Sequence, residues 1–149
     1  VTDSACRCHA GPLLMADLYD GETYDARLEI DDWSLPTAGD AAWLPVEGRA
    51  VDAAKLWPQK VRGVCTHECF SGKELWTPAG ERCIDFGQNM AGLVSFRVKA
   101  NPGDRVEFTC FEALDRDGNV YTENLRSAKQ TVTYLCKGGE EEFYRPEFS

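Results

Sequence analysis

Six side chains with binding chemistry crowd around one glycine near the start of this chain: Asp17, Tyr19, Asp20, Glu22, Tyr24 and Asp25, centred on Gly21. Carboxylates accept hydrogen bonds from sugar hydroxyls and coordinate Ca2+. Interleaved aromatic rings cover the apolar face of a sugar. This cluster is therefore the strongest ligand-binding candidate, with Tyr19, Asp20, Glu22, Tyr24 and Asp25 as its binding residues. The spacing does not fit a helix–loop–helix calcium site, which wants acids at alternate positions ahead of its glycine. The plainer alternative is a solvated acidic turn with Arg27 as the partner of the carboxylates. Asp115-Arg116-Asp117-Gly118-Asn119 also mimics a calcium loop, but its glycine is misplaced and Arg126 stands where a glutamate is needed. Asp-Gly is a common hairpin turn, and the spacing predicts one here. No resident cofactor is expected, with Ca2+ as the alternative.

Other reactive side chains are sparse. His9 and His67 are the only histidines, and seven cysteines are present: Cys6, Cys8, Cys65, Cys69, Cys83, Cys110 and Cys136. Neither Cys6-Arg7-Cys8-His9 nor Cys65-Thr66-His67-Glu68-Cys69 has the two spaced ligand pairs of a tetrahedral zinc site, so no metal site is expected. Cys65 or Cys69 beside His67 offers a thiol and a base without an orienting third group. Cys83 and Cys110 sit in apolar or alternating runs and read as small core residues. Asp85 is the one acid flanked by apolar residues on both sides. It reads as an acceptor of backbone N–H groups in a tight turn before Gly87 rather than as a catalytic acid. Neither a Gly-x-Ser-x-Gly elbow nor a phosphate loop occurs. No catalytic residue is assigned.

The elements that must hold these groups are strands. Leu93–Lys99 alternates, with Val94, Phe96 and Val98 on one face. Asn101-Pro102-Gly103-Asp104 is a strong turn, and Arg105–Cys110 then places Val106, Phe108 and Cys110 on one face; the two runs are expected to pair as antiparallel neighbours. Gln130–Cys136 reads as a further strand, Lys137-Gly138-Gly139-Glu140 as a turn, and Glu142–Phe148 as a last strand. Thr23–Glu29 reads as one strand, and Val61–Cys69 opens the alternating region. Gly87 and Gly92 are expected in conformations that other residues resist, and the Gln88 and Asn89 amides are expected to satisfy loop backbone groups. Short strands between frequent turns indicate a sandwich or jelly roll.

Bulk composition argues against two classes of partner. The 149 residues carry 16 Lys and Arg against 25 Asp and Glu, a net charge of -9. Nucleic-acid binding needs basic side chains to neutralise phosphates, and no basic cluster exists. A membrane partner is equally unsupported, since no run approaches the roughly 18–20 apolar residues of a spanning helix. The chain opens without Met or an apolar leader, so its natural N-terminus is expected upstream. With cysteines read as reduced thiols, cytoplasmic location is expected over secretion.

Four ordered segments are more specific. Asp17–Arg27, Asp85-Phe86-Gly87-Gln88-Asn89-Met90-Ala91-Gly92, Asp117–Ala128 and Thr133–Gly139 together resemble the bacterial α-L-rhamnosidases. The resemblance marks Asp85, Gly87, Gln88, Asn89 and Gly92, with Glu123, Asn124 and Arg126, as structural motif residues. It implies an all-β fold: a jelly-roll-like antiparallel β-sandwich with an N-terminal arm and the remnant of a second β domain. The implied layout is residues 1–35 as the C-terminal remnant of the family's N-terminal domain, 36–60 as a connecting arm and 61–149 as a truncated concanavalin-like sandwich. In the family, an (α/α) barrel C-terminal to these domains performs inverting hydrolysis of terminal α-L-rhamnose. Such hydrolysis needs two carboxyl groups roughly 5–9.5 Å apart, and 25 acids make spacing alone uninformative. The expected function is thus a non-catalytic segment, inactive alone, whose partners are the catalytic barrel of the same polypeptide and, in the intact enzyme, a rhamnosidic carbohydrate. The alternative is a carbohydrate-binding module for L-rhamnose or a related sugar.

Overall fold

The computed structural model describes residues 3–39 and 42–147. Its strands are β1 (Arg7–Cys8), β2 (Leu13–Asp17), β3 (Gly21–Asp25), β4 (Leu44–Pro45), β5 (Lys73–Trp76), β6 (Arg82–Asp85), β7 (Phe96–Val98), β8 (Arg105–Thr109), β9 (Ala113–Leu114), β10 (Val120–Tyr121), β11 (Thr131–Leu135) and β12 (Glu142–Tyr144). Among the described residues there is no α-helix, only three single 3-10 turns. The chain is all-β, as its alternation predicts.

The chain divides into two compact units, one drawn from Val1–Ala10 and Asp31–Phe70, the other from Gly11–Ile30 and Ser71–Ser149. The grouping brings residues on either side of Asp31–Phe70 together. The reason is a single pairing: β3 lies beside β11, far away in sequence, and draws the hairpin β2–β3 into the larger unit.

In the smaller unit β1 pairs antiparallel with β4, and the His9 and Trp43 rings meet at 5.8 Å. Asp52 caps a 3-10 turn by accepting from the Ala54 N–H at 3.0 Å. Val61–Cys69 is exposed and forms no strand, contrary to expectation. Among the described residues its alternation has no partner strand, and a strand without a pairing edge has no backbone hydrogen bonds to replace those to water.

In the larger unit a four-stranded sheet, ordered β2-β3-β11-β8, faces the two-stranded ribbon β12–β7. Among the described residues every pairing is antiparallel except β3–β11, which is parallel and departs from the antiparallel expectation at that one place. Period-two alternation builds the core between the layers. Val132, Tyr134 and Cys136 point inward from β11 and its extension, Tyr144 from β12, and Phe96, Val98, Val106 and Phe108 pack against them. Rings meet at its centre: Phe96 packs against Phe108, Tyr134 and Tyr144 edge-on at 5.7–5.9 Å, a favoured aromatic geometry.

That contact explains a second departure. The Asn101–Asp104 turn forms as predicted, with the Asp104 carboxylate accepting from the Asn101 N–H at 2.8 Å. It does not close a hairpin: β7 pairs with β12 and β8 with β11. The apolar faces of β7 and β8 are better satisfied opposite one another across the core than side by side in one layer. Thr23–Glu29 also differs from the single strand expected. Asp25 ends β3 by accepting the Arg27 N–H at 3.1 Å, which turns Ala26–Leu28 into a 3-10 turn. The last strand spans Glu142–Tyr144 rather than Glu142–Phe148, and Phe148 lies outside the described residues.

All seven cysteines are free thiols. Cys83 and Cys136 are buried, and burial is the first cause that pushes both thiols up from their ordinary pKa. Cys8, Cys65 and Cys69 are exposed. A thiol reagent on the native chain is therefore expected to modify these three first, with Cys83 and Cys136 reacting only on unfolding; peptide mass mapping over time checks it.

Candidate functional site

The acidic-aromatic cluster is not one site. Asp17 shapes the β2–β3 turn, its Oδ1 accepting from the N–H groups of Tyr19 at 2.7 Å and Asp20 at 2.9 Å; these two bonds, Asp20 first, hold its carboxyl below the ordinary carboxylate pKa. Tyr19 is 71% exposed, and Asp20 pairs with Lys129 at 3.3 Å on the outside of the sheet. Alternation along β3 then separates the rest. Asp25 is buried and takes Arg27 in a two-pronged bond, Nε at 2.9 Å and Nη2 at 2.7 Å, and this guanidinium is the main reason its carboxyl titrates low. Glu22 and Tyr24 point the other way, into the space between the sheets.

There the rings of Tyr24, Tyr134 and Tyr144 form a compact group, with centroids 4.5–5.8 Å apart. Each hydroxyl donates to a different glutamate: Tyr24 to Glu29 at 3.0 Å, Tyr134 to Glu142 at 2.8 Å and Tyr144 to Glu22. Glu22, 1% exposed, also accepts the Glu147 N–H at 3.0 Å. Glu142 also accepts the N–H groups of Lys137 at 2.9 Å and Gly138 at 3.0 Å. Burial first, then the bond to Glu29, pushes the Tyr24 phenol well above its ordinary value; burial and Glu142 do the same for Tyr134. For Glu142 burial pulls upward, but the hydrogen bonds from Lys137, Tyr134 and Gly138 outweigh it and leave the carboxyl low.

An open cleft of about 350 Å³ runs past this group, lined by Leu13, Glu22, Tyr24, Glu29, Phe143, Tyr144, Arg145 and Glu147. A smaller one of about 190 Å³, which shares Glu29 and Phe143 with it, is lined by Tyr134, Lys137, Gly138 and Glu140–Glu142 as well. Of the five expected binding residues, the cleft brings together Glu22 and Tyr24; Tyr19, Asp20 and Asp25 stand outside it. Sequence reasoning missed Glu29, Glu142, Tyr144 and Arg145. The alternation of Glu142, Tyr144 and Pro146 inward against Phe143, Arg145 and Glu147 outward was the available signal.

The remaining motif residues shape backbone. Asp85 accepts the Gly87 N–H at 2.7 Å, as its position predicts, and Gly87 has φ +79. Gly92 has no such positive φ, and among the described residues the exposed Gln88 and Asn89 amides make no hydrogen bond that closes the loop, contrary to expectation. Glu123 and Asn124 sit in an exposed 3-10 turn that ends at Arg126, with φ 58 and its N–H on the Glu123 carbonyl at 3.2 Å. Asp115 closes the β9–β10 hairpin by accepting the N–H groups of Asp117 at 2.9 Å and Asn119 at 2.8 Å. Among the described residues no three His, Cys, Asp or Glu side chains are grouped as a metal ion requires, and no helix is long and apolar enough to cross a membrane.

The site is thus part of an all-β unit whose buried carboxylates, Glu22, Asp25 and Glu142, are occupied by hydrogen bonds from their own fold. Comparison with known proteins supplies the family. Residues 1–68 match the α-L-rhamnosidase N-terminal domain, and residues 76–149 match the bacterial α-L-rhamnosidase concanavalin-like domain. The α-L-rhamnosidase of Streptomyces avermitilis is 41% identical over 145 residues, covering 96% of this chain and 14% of that protein. The crystal structure of the Streptomyces avermitilis enzyme complexed with L-rhamnose superposes with a TM-score of 0.84 at 42% identity, over 95% of this chain and 14% of that one. The native α-L-rhamnosidase of Aspergillus terreus does so at 0.87 and 29% identity, over 99% of this chain and 17% of that one. The chain belongs to the bacterial α-L-rhamnosidase family, and it spans 14–17% of the length of these relatives.

Proposed function

We propose that the chain is a non-catalytic β scaffold of an α-L-rhamnosidase. On this reading, inverting hydrolysis of terminal α-L-rhamnose belongs to an (α/α) barrel on the same polypeptide, which the β units support. The observation that carries it is the state of the buried acids. Glu22, Asp25 and Glu142 are each held by two or more hydrogen bonds from donors of their own fold. A catalytic acid and base must instead exchange protons with substrate and water. The free thiols suit a reducing cytoplasm. The test is hydrolysis of an aryl α-L-rhamnoside: this chain is expected to be inactive beside a full-length enzyme carrying it, and turnover by the chain alone overturns the proposal.

A second reading, a module that binds L-rhamnose, is favoured by the cleft that joins the Tyr24 ring to Glu22, Glu29 and Arg145. Calorimetric titration with L-rhamnose, with and without Ca2+, decides it. Saturable heat lost in Glu29→Ala supports binding in the cleft, and heat lost in Asp20→Ala instead places it at the outer turn. No heat at millimolar sugar removes this reading and leaves the scaffold.

A further inference from the structure

The hairpin β2–β3 belongs to the stretch matched by one domain family, residues 1–68, yet its pairing partner β11 belongs to the stretch matched by the other, residues 76–149. The pairing is long and registered: Gly21 to Asp25 lie parallel to Thr131 to Leu135. It is extended before the strand by the Gln130 and Thr131 N–H groups, which donate to Tyr19 O at 2.9 Å and Asp20 O at 3.0 Å. Parallel neighbours need a long crossover connection. Here that connection runs from Ala26 to Gln130, and its first long stretch, Asp31–Phe70, is grouped in the other compact unit.

Three contacts fix how the hairpin docks. Gly21 has φ +100, and a Cβ there would meet the carbonyl oxygen of Thr131 and lie 2.7 Å from its carbon. Glu22 takes the Tyr144 hydroxyl and the Glu147 N–H. The Tyr24 ring stacks on Tyr134 at 5.8 Å, tilted 11°. Main-chain bonds along an edge with side-chain pockets at alternate positions are how proteins bind an added strand.

We propose that the hairpin Leu13–Asp25 is a donated strand pair, held on the β11 edge of the sandwich by its own contacts and not by its covalent link through Asp31–Phe70. The boundary between the two matched domain families is then not a folding boundary. Glu22 is the positioning residue of the junction, which ties β3 to β12 and the residues after it.

The experiment replaces Trp57–Lys60 with the recognition sequence of a site-specific protease, cleaves the folded chain and applies it to a native sizing column. The two pieces are expected to elute together at the size of one uncut chain and to keep the near-ultraviolet signal of the packed tyrosines. Dilution then gives a dissociation constant. Gly21→Ala is expected to weaken association about a hundredfold, because the neighbour in its way is backbone. Tyr144→Phe keeps the ring and removes one bond to Glu22, and about a tenfold loss is expected. Separation of the cut pieces at concentrations where the uncut chain is folded overturns the proposal. So does association that neither substitution changes, or elution as a two-copy complex, which places the hairpin on a neighbouring chain. None of these readouts involves sugar or hydrolysis, so they stand apart from the scaffold assignment.

Discussion

Replacing Glu142 with alanine is expected to cost about 3–4 kcal/mol of unfolding free energy in urea, the largest effect of any single carboxylate in the chain. Glu142 is 6% exposed and gathers three donors, the Tyr134 hydroxyl and the N–H groups of Lys137 and Gly138. Tyr134 is 2% exposed, so its hydroxyl loses its one protein acceptor in a largely desolvated place when the carboxylate is removed. Hydrogen bonds to charged groups contribute more than neutral ones, and a buried donor left alone carries the full desolvation cost. Tyr134→Phe removes donor and cost together and is expected to lose only about 1 kcal/mol. In the double variant the two losses are expected to fall short of their sum, since Glu142→Ala no longer strands a hydroxyl. Additive losses would show that the pair is not coupled.

The same carboxylate sets a pH dependence. Its folded pKa lies below the ordinary value: burial opposes this, and the three hydrogen bonds and the Lys137 charge overcome it. A carboxyl lowered on folding stabilises the fold above its unfolded pKa, and that stability is lost as pH falls through the folded value. Tyr24 and Tyr134 work at the other end. Both are raised above 10.0, so their contribution is complete below that value and is lost as pH rises beyond it. Urea titrations across pH are therefore expected to show an acid limb that flattens in Glu142→Gln and an alkaline limb that flattens in Tyr134→Phe. An unchanged acid limb in Glu142→Gln would assign the acid loss to other carboxylates, with Asp25 the next to examine, because Arg27 lowers it too.

What the sequence made legible follows from period and from turn chemistry. Val94, Phe96, Val98 and Ala100 are half-buried at every second place, as are Val106, Phe108 and Cys110, and this periodicity is visible without a structure. Asn101–Asp104 and Asp115–Asn119 turn where their side chains allow it, and Asp85 holds the Gly87 N–H as its neighbours imply. The partner of each strand was not legible. β7 and β8 are alternating neighbours in sequence but sit in different sheets, and nothing local marks β3 as the parallel neighbour of a strand more than a hundred residues later. The candidate site failed for the same reason. Glu22 looks like one more surface acid until β11 and β12 bring Tyr144 and the Glu147 N–H to it. A buried carboxylate is recognisable only through its donors, and those came from the far end of the chain.

The paired glycines after β11 provide the second large effect, with a control beside it. Gly138 and Gly139 both have positive φ, +81 and +100, where a Cβ crowds the backbone. Conformation alone costs an alanine about 1–2 kcal/mol at either position. Their surroundings differ. A Cβ on Gly139 meets nothing within 4 Å, whereas one on Gly138 runs into the Pro102 ring, with its Cγ and N at 2.6 Å. Pro102 is a poor neighbour to displace. Its ring is rigid, and it sits in the Asn101–Asp104 turn, which is locked to the end of β11 through the Gly103 N–H on Cys136 O and the Cys136 N–H on Asp104 O, both at 2.8 Å. Gly138 also donates its own N–H to Glu142, so a shift there disturbs that carboxylate. Gly138→Ala is therefore expected to destabilise the chain by about 3–4 kcal/mol and Gly139→Ala by about 1 kcal/mol, measured as urea midpoints at constant slope. Equal losses at the two positions would mean that the Pro102 turn moves aside, and that this junction between the layers is held less tightly than its hydrogen bonds imply.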